Sequence, residues 1–223
     1  MSIRAPLPLT SATRHLFPNG GLRRGILVDV TGAPGATSVA MALLSGPCRS
    51  GAWVGLLGME HLGWAAVSEL GLPLQRMVSV DLTHTREDSG TARSAVMAAM
   101  IDTFDIVVFG TGNLPGGALL RKLRARARER GSLLVSLRGG VDGADASLDV
   151  LGTRWEGLGQ GWGRLGGRTV EVQVRGRGAL DRPCRGEIRF DARGRPEAIE
   201  DEPTTAGHIP EWDVEWGVRD LVS

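Results

Sequence analysis

The sequence predicts an α/β fold: three layers, with a mostly parallel central sheet and antiparallel strands toward the C-terminus. Three observations predict it. Continuous apolar runs of five to seven residues, such as "GILVDV" (25–30), "FDIVVFG" (104–110) and "SLLVSLR" (132–138), recur through the first two thirds of the chain. Strands apolar on both faces belong to a parallel sheet covered on both sides. Helix-like segments alternate with these runs, which is the order of βαβ units. After residue 140 the runs give way to alternating strands separated by glycine-rich turns, the pattern of antiparallel neighbours.

Taken in order, residues 1–20 read as an irregular arm with three prolines and a "PNGG" turn. The strand 25–30 leads into "ATSVAMALLSG" (36–46), a helix expected to end at Gly46. "AWVGLLG" (52–58) is a strand and "LGWAAVSELG" (62–71) a short helix closed by Gly71. "MVSVD" (77–81) is a strand, and "GTARSAVMAAMIDT" (90–103) places Ala, Val and Met at helical spacing. Strand 104–110, helix 116–131 and strand 132–138 follow. "SLDVLGTRW" (147–155), "RTVEVQVRG" (168–176) and "RGEIRFDARG" (185–194) are expected to extend the sheet as antiparallel strands. The chain thus divides into an N-terminal arm (1–20), a core (21–195) and an acidic, Trp-containing tail (196–223).

Composition narrows the function classes. A 42% apolar content without a run of the ~18–20 residues that span a bilayer predicts a soluble protein. With no apolar leader in the first residues, a cytoplasmic location is expected. Cys48 and Cys184 lie far apart, neither spaced with a histidine as a metal set requires, so no metal and no disulfide are expected. Of the 26 basic residues, Lys122 is the only lysine. The abundance of Ala, Gly and Arg suggests a GC-rich bacterial coding sequence.

The chemistry turns on "ILVDVTGAPGATSVAMALL" (26–44), a strand, a Gly-Pro-rich turn and a helix. A phosphate-binding P-loop is G-x-x-x-x-G-K-[ST]: backbone N–H groups wrap the phosphates, the lysine neutralises them, and the hydroxyl holds Mg²⁺. Counting from Gly32, the second glycine position is Thr37, the lysine position Ser38 and the hydroxyl position Val39. Gly35 keeps the loop turning, but the three chemical groups are missing. The carboxylate that such a site needs at the end of a second apolar strand is also missing, because Gly110 stands there. Weak anion binding at a helix N-terminus is all that remains to be expected of the loop.

The order of these segments resembles the RecA core. "GGLRRGILVDVTGAPG" (20–35) is similar to the RecA approach to the P-loop, and "GAWVGLLGMEHLGWAAVSELGLPLQRMVSVD" (51–81) to the segment carrying an Ala-Glu-His sequence. By that resemblance Glu60 falls on the catalytic base, "FDIVVFGTGNL" on the strand with the missing carboxylate, and Arg138 on the nucleotide-sensing Gln. The resemblance covers roughly residues 20–195 and implies a RecA-like three-layer sandwich. A core of this size lacking the ATPase groups resembles the ImuA/SulA-like group, and most closely its actinobacterial ImuA-prime type. That resemblance implies a non-enzymatic adaptor of a damage-induced translesion complex, with no cofactor. Its implied partners are the inactive Y-family polymerase homologue ImuB and, through it, a DnaE-type error-prone polymerase and the sliding clamp. RecA itself is a further candidate partner. A regulator of RecA filaments, a SulA-like division inhibitor and a residual ATP-binding protein are the alternatives.

Three further features carry candidate surfaces. Helix 117–130 bears Arg121, Lys122, Arg124 and Arg128 among six cations, either a solvated surface or a nucleic-acid contact. "WEGLGQGWGRLGGR" (155–168) reads as a turn with a buried Trp or as a base-stacking loop. In the tail, Trp212, Val214, Trp216, Val218 and Leu221 either fold back on the core or dock a partner, and the surrounding acids argue against DNA as the target.

Overall fold

The computed structural model describes residues 5–32, 34–82, 90–157, 163 and 165–198. The strands are β1 (Leu7–Pro8), β2 (Gly21–Leu22), β3 (Leu27–Thr31), β4 (Val54–Leu57), β5 (Met77–Val80), β6 (Ile106–Phe109), β7 (Leu133–Ser136), β8 (Ala146–Trp155), β9 (Arg168–Gly176), β10 (Cys184–Phe190) and β11 (Pro196–Glu197). The helices are α1 (Ala36–Arg49), α2 (Trp64–Glu69), α3 (Gly90–Thr103) and α4 (Gly117–Arg130). Nine strands form one sheet in the order β11-β10-β9-β8-β3-β7-β6-β4-β5, and β1 and β2 form a separate antiparallel pair. The fold class read from the sequence is the one observed.

Alternation within the apolar runs explains the three layers. Along β3, Val28 and Val30 face one core and Leu27 the other; along β6, Ile106 and Val108 face the first, Val107 and Phe109 the second. The first core packs against α1 and Val67 of α2, the second against Met97, Met100 and Ile101 of α3 and Leu123 and Ala127 of α4. Both faces of these strands are dry, which is why their sequences are apolar without interruption.

Four local expectations need correction. The helix expected to stop at Gly46 runs on through Pro47 to Arg49. Gly46 is there for space: a Cβ at this position would lie 2.5 Å from the carbonyl oxygen of Pro8 and 2.9 Å from the Thr10 nitrogen. The segment expected to be irregular carries β1 and a 3₁₀ turn at Arg14–Leu16, and it buries Leu7, Leu16 and Phe17 in the first core. The strand expected to open an antiparallel set instead joins β3 in parallel, Val28 opposite Ala146, and is antiparallel only to β9. The sheet also continues just past residue 195, where β11 pairs with β10.

The parallel step from β7 to β8 is made without a helix, although such crossovers usually take a dozen or more residues. Loop 137–145 manages it because two carboxylates hold it against β3. Asp29, 1% exposed, accepts N–H bonds from Gly139 (3.3 Å) and Val141 (2.9 Å). Asp145 accepts from the Leu27 N–H (2.9 Å), and its own N–H donates to the Leu27 carbonyl (2.9 Å).

Candidate functional site

The glycine-rich loop after β3, Glu60 after β4, Gly110 after β6 and Arg138 after β7 all follow the carboxyl ends of parallel strands. Sheet direction therefore puts them on one edge, where open α/β sheets bind ligands. The sequence brings the right positions together; what stands at each is a different matter.

The loop holds its turn with Gly32 (φ 95°) and Gly35 (φ 127°), the latter preceding the first residue of α1. It is pressed onto β8. A Cβ at Gly32 would overlap the Val150 carbonyl oxygen, and the Thr153 hydroxyl donates to the Pro34 carbonyl (3.2 Å). The contact falls at the irregularity between Val150 and Gly152, where β8 shifts register against β9. Thr37 is exposed, Ser38 half-buried, and Val39 fully buried in the first core. The position that would hold Mg²⁺ in a P-loop is thus a core side chain.

Gly110 is equally constrained. Its N–H donates to the Leu57 carbonyl (2.8 Å), and a Cβ there would overlap the Gly58 carbonyl oxygen and lie 3.1 Å from Met59 Cγ. Gly58 (φ 68°) is in turn crowded by the Asn113 amide. The loops after β4 and β6 are locked together at backbone distance, which leaves no place for a carboxylate at 110. Glu60 and His61 are exposed, and neither makes an ion pair or hydrogen bond among the described residues. Arg138 is exposed, its backbone N–H held by the Ser136 hydroxyl (3.0 Å). Among the described residues no group of three or more His, Cys, Asp or Glu side chains is placed to hold a metal.

Asp29 and Arg168 are the polar residues that the sequence reading passed over. Asp29 had a signal, an acid inside the apolar run "ILVDV", which asks for buried donors. Arg168 had none, because its neighbours come from β8 and β10.

Four of the six cations of α4 are occupied by carboxylates. Arg124 pairs with Asp145 (2.9 Å), and Arg128 reaches the same carboxylate at 3.9 Å. Arg126 (2.5 Å) and Arg130 (3.0 Å) grip Asp102 of α3, and the hydrogen bond from Arg126 is the main reason its carboxyl sits below the usual value. Arg121 and Lys122 are exposed, without an ion pair among the described residues. Of the four cations expected to contact nucleic acid, two therefore serve α4's attachment to Asp145. Trp212, Val214, Trp216, Val218 and Leu221 lie outside the described residues, as does Trp162. Among the described residues no helix is long and apolar enough to cross a membrane.

Residues 15–143 match the family described as the MT3502 N-terminal domain. The uncharacterized protein Rv3395c of Mycobacterium tuberculosis is 30% identical over 152 residues, which is 65% of this chain and 71% of that protein. Among solved structures, the flagellar accessory protein FlaH from Methanocaldococcus jannaschii superposes with a TM-score of 0.58 at 11% identity, covering 87% of this chain and 99% of FlaH. The RadB recombinase superposes with a TM-score of 0.54 at 17% identity, covering 81% of this chain and 94% of its own. At these identities the structural likeness concerns the fold alone, and that fold is the RecA-like ATPase fold.

Proposed function

The chain belongs to the MT3502 N-terminal domain family, and we propose that it is a non-enzymatic RecA-like accessory protein of a DNA-damage-induced translesion synthesis complex. In this reading it works in the cytoplasm as an adaptor. It binds ImuB and, through ImuB, the DnaE-type error-prone polymerase and the sliding clamp. The observation that supports an inert core is the state of the nucleotide edge. Val39 is buried where a hydroxyl is needed, Gly110 has no room for a carboxylate, and the only lysine is Lys122 on α4. The observation that supports docking through the tail is its pattern, Trp212, Val214, Trp216, Val218 and Leu221 among acids, since buried Trp anchors carry a large share of interface energy.

Three measurements test the reading. Capture of ImuB by the full chain should be lost in a Trp212→Ala/Trp216→Ala variant, and undiminished capture refutes docking through the tail. Titration with Mg·ATP should give no heat of binding. Micromolar binding, or turnover abolished by Glu60→Gln, refutes the inert core. Disassembly of preformed RecA filaments by the protein without ImuB would replace the adaptor with a filament regulator.

A further inference from the structure

We propose that, in the isolated protein, the acidic segment 199–223 docks on a basic-aromatic groove of its own core, formed by Trp155, Leu165, Arg168, Phe190, Arg193 and Arg195. The inference does not rest on the adaptor reading, because it concerns where the segment lies before any partner is bound.

The groove is a cavity of about 550 Å³ between the first turn of α1, the end of α2 and the turns of the β8–β10 strands. At its centre the Arg168 guanidinium carbon lies 4.8 Å from the Phe190 ring centroid and 5.2 Å from that of Trp155. Stacking accounts for the position of the guanidinium but not for its donors. Among the described residues Arg168 Nε has no hydrogen-bond partner and the side chain makes no ion pair. Burial lowers its pKa, as expected of a cation that lacks a counter-charge. The half-buried guanidinium, stacked on two rings and without a counter-charge among the described residues, leaves a positive charge at the groove for a carboxylate to neutralise.

The surroundings have the same requirement. Arg193 and Arg195 project from the turn between β10 and β11, exposed and without ion pairs among the described residues. Asp191, an acid of the groove lining, is engaged by the backbone: its Oδ1 accepts the N–H groups of Arg193 and Arg195, both at 2.8 Å. Glu69, on the α2 side of the groove, pairs with none of the three arginines. Two of the groove's large apolar side chains are open, Trp155 at 47% and Leu165 at 50% exposure.

The occupant is identified by charge and by tether. Residues 199–223 carry seven acids against one arginine, and "EWDVEWG" (211–217) alternates carboxylates with indoles and valine. This supplies acceptors for the arginines and apolar surface for Trp155 and Leu165. The segment starts beside the groove, since β11 ends at Glu197, two residues beyond Arg195. Twenty-five residues reach up to roughly 80 Å, far more than the return requires. A short tether also sets an effective concentration on the millimolar scale, so contacts too weak to hold a free peptide suffice.

The test replaces Leu165 with the photo-cross-linker benzoylphenylalanine in the full chain, without any partner, and maps products by mass spectrometry. The expected product joins position 165 to residues 199–223 of the same chain, with a yield independent of protein concentration. Arg193→Glu/Arg195→Glu should lower that yield about tenfold. Both residues are exposed turn positions whose backbone bonds to Asp191 do not depend on the side chain, and an unchanged melting temperature checks this. No cross-link to 199–223 overturns the proposal. So does a link only between chains, with a yield that rises with concentration, or a link indifferent to the charge reversal. None of these outcomes involves ImuB, so the result is separable from the fate of the adaptor reading.

Discussion

Gly110→Ala tests whether packing, and not composition alone, excludes the carboxylate of a nucleotide site. The added methyl meets the carbonyl oxygen of Gly58 at overlap distance, its carbon at 2.8 Å and Met59 Cγ at 3.1 Å. Backbone atoms cannot swing aside as a side chain can. Gly58 is itself pinned, by its N–H to the Val80 carbonyl (3.3 Å) and by Asn113 against its α-carbon. Overpacking of this kind costs about 1–3 kcal/mol. For a domain of this size, each kcal/mol lowers the melting temperature by roughly 2–4 °C. Gly110→Ala should therefore melt roughly 2–12 °C below the parent, followed by circular dichroism and checked by the urea midpoint. Gly110→Asp should melt lower still, because a charge is added to the same crowded turn, and it should gain no ATPase activity. Gly152→Ala, where a Cβ meets nothing within 4 Å, is the neutral control. A Gly110→Ala protein as stable as that control would refute the argument, showing that the loops after β4 and β6 separate at little cost.

Three other outcomes follow from the same contacts. Gly46→Ala should destabilise by about 1–2 kcal/mol, although Ala in a helix is ordinarily better than Gly by about 0.5–1 kcal/mol. The reversal comes from the backbone of residues 8–10 crossing α1, and a stabilised variant in urea would contradict it. Asp29→Ala should cost about 1–3 kcal/mol by leaving the Gly139 and Val141 N–H groups without acceptors, with faster amide exchange at those two positions as the specific readout. Burial, with a smaller contribution from Asp105, pushes the Cys48 thiol up from 9.0 to about 12. Cys48 should therefore resist a thiol reagent at pH 8 while half-buried Cys184 reacts, and both should react in denaturant. The raised value favours the folded state fully below pH 9.0, and that contribution is lost as pH rises toward about 12. Unfolding midpoints in a Cys48→Ala variant should be less sensitive to pH across that window.

The sequence by itself determined the elements and their order, because continuous and alternating apolar patterns record which faces of a strand or helix are dry. It also determined what the glycine-rich loop lacks: with Lys122 the only lysine, no reading of 26–44 supplies a phosphate-neutralising ammonium. The RecA-like arrangement was legible for the same reason, as an order of strands, turns and helices and not as a set of identities. Packing decided the rest. Nothing near Gly46 in sequence says that residues 8–10 pass over it, and nothing near Gly110 says that Gly58 presses against it. The cations of α4 read as one exposed basic surface until α3 and loop 137–145 bring Asp102 and Asp145 beneath four of them. Arg168 becomes a centre of interest only when β8 and β10 place Trp155 and Phe190 on either side of it. Periodicity is a local property, written within one turn or one strand. The space at a glycine and the partner of a charge depend on atoms tens of residues away, and only the folded chain brings those atoms together.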